Sequence, residues 1–195
     1  MKERSIYKDI ENRTGGDIYI GVVGPVRTGK STFIKRFMDT LVLPHITDDN
    51  LRERATDELP QSSAGRTIMT TEPKFVPENA VPITLEDNAR LSVRMIDCVG
   101  YIVESAMGYI EEDGERMVHT PWSEAEMPFR KAAELGTKKV ITDHSTIGVM
   151  VTTDGSIGDI DREDYVRAEE RVAAELAASG KPYIILLNTT APESV

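Results

Sequence analysis

The sequence predicts an α/β fold: a mostly parallel sheet with one antiparallel edge strand and helices on both faces. Three observations predict it. Apolar, β-branched runs of strand length alternate with segments whose apolar residues recur every three or four positions. A glycine-rich loop stands where the first strand hands over to the first helix, and two later strands lie close enough in sequence to pair as a hairpin.

The elements follow in order. Residues 1–16 are polar, with Ile6, Tyr7 and Ile10 at helical spacing, and read as an N-terminal arm; residues 17–195 read as one domain. Asp17 to Val23 is rich in β-branched and aromatic residues and forms the first strand. Phe33, Ile34, Phe37, Met38 and Leu41 give the next segment helical periodicity as far as Pro44. From His45 to Arg66 the chain is polar and aperiodic, the pattern of a mobile loop. Strands are expected over Lys74 to Leu85 and Arg90 to Asp97, joined at Asp87-Asn88, followed by an irregular segment from Gly100 to Glu124. A helix from Ser123 to Leu135 should stop at Gly136. Thr146 to Thr152 is the fourth strand, Arg162 to Ala178 a helix ended by Ser179-Gly180, and Pro182 to Asn188 the fifth strand. With the chain stopping soon after that strand, a piece of a longer protein is expected.

Composition narrows the function. A net charge of −10, with no basic cluster longer than Lys138-Lys139, excludes a nucleic-acid partner, which would require a basic face. The longest apolar runs are strand-length, so neither a signal peptide nor a membrane span is expected. Cys98, the single cysteine, allows no internal disulfide and fits a reducing, cytoplasmic setting, packed as a thiol in an apolar strand. His45, His119 and His144 lack ligand spacing.

The loop at the end of the first strand reads Gly24-Pro25-Val26-Arg27-Thr28-Gly29-Lys30-Ser31, matching G-x-x-x-x-G-K-[ST] at every specified position. A chance match in a chain of this length is on the order of 1%. The chemistry needs these residue types. Glycines let the backbone turn tightly and aim N–H groups at phosphates, Lys30 reaches the β- and γ-phosphates, and Ser31 offers a hydroxyl to Mg²⁺. With Thr32 following at a helix N-terminus, whose dipole favours anions, the stretch is a nucleoside triphosphate site.

Further residues point to the same site. Asp97 ends the third strand in Asp-x-x-Gly, so it can hold Mg²⁺ through water, while the N–H of Gly100 can meet the γ-phosphate. Thr70 and Thr71 precede the second strand, where a threonine can complete the metal shell and sense the γ-phosphate; the residues leave open which one does. Asn188 closes the fifth strand, where a guanine site would read Asn-Lys-x-Asp. Here it is followed by Thr189-Thr190-Ala191, so the carboxylate that pairs with guanine is missing and ATP is favoured. A GTPase-type switch and a nucleotide-bound scaffold without hydrolysis are the alternatives.

On these motifs, and on GPVRTGKSTFIKRFM, TIMTTEPKFVPE, MIDCVGY, MVHTPW, PFRKAAELGTKKVITDHSTIG, VTTDGS and KPYIILLN, the chain resembles the N-terminal nucleotide-hydrolase domain of the stage IV sporulation protein A family. The resemblance runs through essentially the whole chain. It implies a P-loop NTPase of the translation-factor GTPase-like type that binds and hydrolyses ATP through Lys30, Asp97 and a sensor threonine at Thr70 or Thr71. It also implies self-assembly into the basement layer of the spore coat, in the mother-cell cytoplasm at the forespore surface. Domains beyond this sequence would carry polymerisation and contacts with other coat proteins and a small membrane peptide. In related cation-activated GTPases the position of Arg27 holds an asparagine that binds a monovalent cation, so its guanidinium could replace that cation in cis. Tyr101 stands where many related GTPases carry a water-orienting glutamine, which leaves the water-positioning side chain unnamed.

Overall fold

The computed structural model describes residues 15–60, 72–84, 90–111 and 114–194. Its centre is a five-stranded sheet in the order β2-β3-β1-β8-β9. The strands are β1 (Asp17–Val23), β2 (Lys74–Thr84), β3 (Arg90–Asp97), β8 (Ile147–Thr153) and β9 (Tyr183–Asn188). β1 lies parallel to β3 and β8, β9 parallel to β8, and β2 antiparallel to β3 at one edge, as the sequence predicts. The turn expected at Asp87-Asn88 lies outside the described residues.

Parallel strands buried on both faces should read as continuous apolar runs, and β1 and β8 do. Alternate residues serve opposite faces. Ile18, Ile20, Val22, Val149 and Val151 pack with Ile34 and Met38 of helix α1 (Lys30–Phe37) and its short continuation Met38–Val42, and with Ala55 of helix α2 (Asp49–Asp57). On the other face Val23, Ile96 and Met150 meet Val140 and Ile141 after helix α3 (Phe129–Lys139), and Val172 and Leu176 of helix α4 (Arg162–Ser179). Full burial of each such side chain contributes roughly 1.5–3 kcal/mol.

Expectation and structure part in three places. Residues 49–57 form α2 inside the stretch read as a mobile loop, and residues 61–66 of that stretch lie outside the described residues. The Asp48 carboxylate accepts the N–H groups of Asn50 and Leu51, capping the helix, while Leu51, Ala55 and Leu59 supply a single apolar row four residues apart. One row among so many charges is too thin to read as periodicity. Second, the segment from Gly100 to Glu124 is not wholly irregular: β4 (Ile110–Glu111) pairs with β5 (Gly114–Glu115), and β6 (Met117–Thr120) with β7 (Ser123–Pro128). Third, Ser123–Pro128 is therefore strand. The helix begins after Pro128 and runs through Gly136 to Lys139, because Phe129, Ala132, Ala133, Gly136 and Thr137 line one buried face on which a small residue allows close packing. Tertiary contact outweighs the stop signal of that glycine.

Candidate phosphate site

The loop from Gly24 to Gly29 leaves the carboxyl end of β1 and enters α1 at Lys30. Gly29 is the residue before the helix and has φ of 91°, left-handed backbone that favours glycine. A Cβ there would lie 2.4 Å from Asn188 Nδ2, and that amide donates to the Thr28 carbonyl at 3.1 Å. Asn188 thus braces the loop. Its placement at the end of β9, two strands from β1, follows from the sheet order.

Lys30 is buried, and its Nζ donates to the Pro25 carbonyl at 2.6 Å, an acceptor it shares with the Thr28 hydroxyl at 3.0 Å. Burial pushes the Lys30 ammonium down from the ordinary lysine range; Cys98 and Asp97 act in the opposite sense. Ser31 Oγ donates to Asp97 Oδ2 at 2.6 Å across the gap between α1 and the end of β3. Asp97 Oδ1 is buried without a protein partner. Burial pushes this carboxyl up, offset in part by the Ser31 hydroxyl and the Lys30 ammonium. Thr32 is exposed in the first turn of α1. Thr70 and Thr71 lie outside the described residues.

The segment after Asp97 is laced to the loop. Tyr101 N–H donates to Gly24 O at 3.2 Å, and Val26 N–H donates to Tyr101 O at 2.9 Å. Between them Gly100, with φ of 90°, brings its Cα so close that a Cβ would sit 2.0 Å from Gly24 O and 2.7 Å from Lys30 Nζ. The Tyr101 side chain goes the other way. Its hydroxyl donates to Glu175 Oε2 at 2.5 Å, and its ring lies 4.5 Å from the Arg171 guanidinium, which holds Glu134 through two contacts at 2.9 Å. Desolvation and Glu175 push the phenol well up, so it stays a neutral donor. An aromatic with a polar tip is buried where that tip finds an acceptor, and here the acceptor belongs to α4.

Arg27 is the one non-glycine among the described residues with positive φ, at 61°. Left-handed backbone at a non-glycine residue costs about 1–3 kcal/mol and persists where surroundings hold it.

One cluster escaped the sequence reading. Asp154 accepts from Ser156 N–H (2.9 Å), Ser156 Oγ (2.6 Å) and Thr189 Oγ1 (2.6 Å), tying the end of β8 to the end of β9. These donors hold its carboxyl down at about 2. Asp154-Gly155-Ser156 after a strand was the available signal, an Asp bonding its own backbone two residues on. Nearby, Thr152 bonds Glu169, which Arg162 pairs at 2.7 Å. Cys98 is packed as expected, with burial pushing its thiol up to about 11. Among the described residues no group of three or more histidine, cysteine or acidic side chains could hold a metal, and no helix is long and apolar enough to cross a membrane.

The raised Asp97 carboxyl has a measurable consequence for the nucleotide- and metal-free protein. A folded-state pKa above the unfolded value contributes stability below the unfolded value, and loses it as pH rises through the folded one. At neutral pH a buried carboxyl whose pKa is raised is a cost to the fold, because the unfolded chain ionises it freely. Asp97→Asn is therefore expected to melt higher than the parent at neutral pH, with a flatter stability profile between the ordinary carboxylate range and neutrality. Thermal melts across that range check it; an unchanged or lower melting temperature contradicts it.

The family model described as "Stage IV sporulation protein A, ATPase domain" matches residues 1–195. Stage IV sporulation protein A of Bacillus anthracis is 60% identical over 98% of the chain, that of Bacillus subtilis 59% over 98%, and that of Clostridioides difficile 60% over 97%. The chain spans 39% of the length of each. Among solved structures, a crystal structure of Toc33 from Arabidopsis thaliana aligns over 94% of this chain and 76% of its own, with 13% identity and a TM-score of 0.38, too loosely to inform the site. With a family model covering every residue and relatives near 60% identity, the chain belongs to the stage IV sporulation protein A family and corresponds to its ATPase domain.

Proposed function

We propose that the chain hydrolyses ATP with Mg²⁺, and that in the longer protein the accompanying conformational change licenses self-assembly of the spore-coat basement layer. The observation that carries this reading is Ser31, in the first turn of α1, bonded to Asp97 at the carboxyl end of β3, beside a carboxylate oxygen left buried and unpaired. One carboxylate with hydroxyls is a donor set that suits Mg²⁺, which keeps waters and phosphate oxygens as its other ligands. Ser31, Asp97 and one of Thr70 or Thr71 would hold the ion, which when bound neutralises charge on the β- and γ-phosphate oxygens.

Loop N–H groups between Gly24 and Thr32, other than that of Val26, which Tyr101 O takes, surround the phosphates, and Lys30 exchanges the Pro25 carbonyl for the β- and γ-phosphates. Gly100 N–H meets the γ-phosphate. Water attacks the γ-phosphorus in line, the bond to the β–γ bridging oxygen breaks, ADP leaves, and the proton passes to phosphate or solvent. Asn188 gives its amide to the loop and Thr189 beyond it bonds Asp154, and Thr189-Thr190-Ala191 lacks the carboxylate that a guanine site would carry there, which supports adenine. Self-association and contacts with other coat proteins and a small membrane peptide, in the mother-cell cytoplasm at the forespore surface, belong in this reading to the remaining length of the relatives.

Phosphate release with ATP and with GTP tests it. ATP is expected to be favoured by about tenfold or more in kcat/KM, the discrimination a hydrogen-bonding base site supports; a preference for GTP overturns the assignment. A second reading, a nucleotide-bound scaffold without hydrolysis, is favoured by one observation, that the Tyr101 side chain is committed to Glu175 of α4. Release from neither nucleotide would support it. In the same assay Arg27→Ala is expected to lower kcat roughly tenfold to a hundredfold, as loss of a charge-stabilising donor does, with partial recovery in potassium. An unchanged kcat removes Arg27 from the chemistry.

A further inference from the structure

Tyr101 is tied down along its backbone and at the tip of its side chain. Its N–H donates to Gly24 O, its C=O accepts the Val26 N–H, and its hydroxyl donates to Glu175 from a residue that is 2% exposed. Both of its donors are therefore spent, one on the phosphate loop and one on α4. A residue so placed contributes through what it fixes.

The acceptor it has found is itself held. Glu175 lies on α4, 74 residues along the chain, and its other oxygen, Oε1, pairs with Arg171 Nε at 3.6 Å, one turn earlier on the same helix. The Arg171 guanidinium stands 4.5 Å over the Tyr101 ring and grips Glu134 of α3 through two contacts of 2.9 Å. A phenol donating to a carboxylate makes a charge-assisted bond, short and stronger than one between neutral groups. An isolated surface ion pair would hold little, but here a fork-shaped pair, a second carboxylate and an aromatic face share one guanidinium. The cluster thus joins α3, α4 and the segment that leaves β3.

A buried tyrosine needs only one acceptor for its tip, and that alone would make this an ordinary packing contact. Its neighbour in the chain makes it more. The Cα of Gly100 approaches so closely that an added Cβ would lie 2.0 Å from Gly24 O and 2.7 Å from Lys30 Nζ, so a shift of a few tenths of an ångström at Tyr101 carries that backbone toward or away from the ammonium. We infer that Tyr101 is a positioning residue: Glu175 and Arg171 of α4 hold its side chain so that the adjoining Gly100 backbone keeps its place against Lys30 and the γ-phosphate. The inference rests on reading the loop as an ATP-hydrolysing site.

Tyr101→Phe keeps the buried ring and its contact with Arg171 and removes only the bond to Glu175. Glu175→Ala removes the same bond from α4. In a full-length protein of this family carrying this domain, each variant is expected to lower kcat about tenfold or more, the loss that follows when groups at the reacting centre are misplaced. Each should also weaken binding of the β,γ-imido analogue of ATP by about tenfold relative to ADP, both with Mg²⁺, as loss of one hydrogen bond to a charged group does. The double variant is expected to lose no more than either single one, because one bond is removed in all three. An unchanged ratio of analogue to ADP affinity, which a role in folding alone would leave, overturns the inference, and so do losses that add. A parent protein that releases no phosphate from ATP counts against the hydrolytic reading instead, and the affinity ratio then still decides the role of Tyr101.

Discussion

Lys30→Ala is expected to lower ATP hydrolysis by about a thousandfold or more while the protein stays folded, the loss produced when the main cationic stabiliser of a transferring phosphoryl group is removed. Both halves of this expectation follow from the environment of the side chain. Lys30 is buried, its ammonium has one carbonyl and one neighbouring carboxylate to compensate it, and burial depresses its pKa. A depressed lysine pKa contributes stability above the unfolded value and loses it as pH falls through the folded one. Near neutrality the buried amine is therefore a cost to the ligand-free fold, and alanine removes the amine together with the cost. Loss of the packed side-chain stem acts the other way, so the melting temperature should move by only a few degrees. Phosphate release and a thermal melt of the same preparation check the two halves. Hydrolysis within tenfold of the parent would remove Lys30 from the reaction.

Gly100→Ala should be nearly as damaging by a different route. The new methyl would meet the Gly24 carbonyl at 2.0 Å and the Lys30 ammonium at 2.7 Å, on backbone with φ of 90°. The first obstacle is main chain that already accepts the Tyr101 N–H, so it cannot rotate aside as a long side chain could. Either the loop shifts or residues 97–101 do. Strained backbone of this kind costs about 1–3 kcal/mol before the clash is counted, and displacing the loop by an ångström costs roughly a hundredfold in rate. The variant is expected to melt several degrees lower and to lose at least that factor in kcat/KM. Wild-type values of both would show that the loop and the Asp97–Gly100 segment move freely of each other.

How much of this was legible beforehand depends on how local the cause is. The loop Gly24–Ser31, the helix it enters, the β2–β3 pairing and the α4 helix ending at Gly180 all follow from signals a few residues long, and the structure carries each. Helix α2 and the two small hairpins were missed because their apolar content is slight, and they are held by a cap, a single row of contacts or a short ladder. Gly136 misled because its meaning depends on what packs against it.

The site divides in the same way. Residue types and spacing were enough to single out Lys30, Ser31, Asp97 and Gly100 as candidates, because a phosphate loop and a strand-ending aspartate are short-range chemistry. The direction in which Tyr101 turns, the bracing of the loop by Asn188 across 160 residues, and the tie between Asp154 and Thr189 came only with the folded chain. Each of these depends on which strand lies beside which, and a partner distant in sequence leaves no periodicity or motif at the residue it will meet.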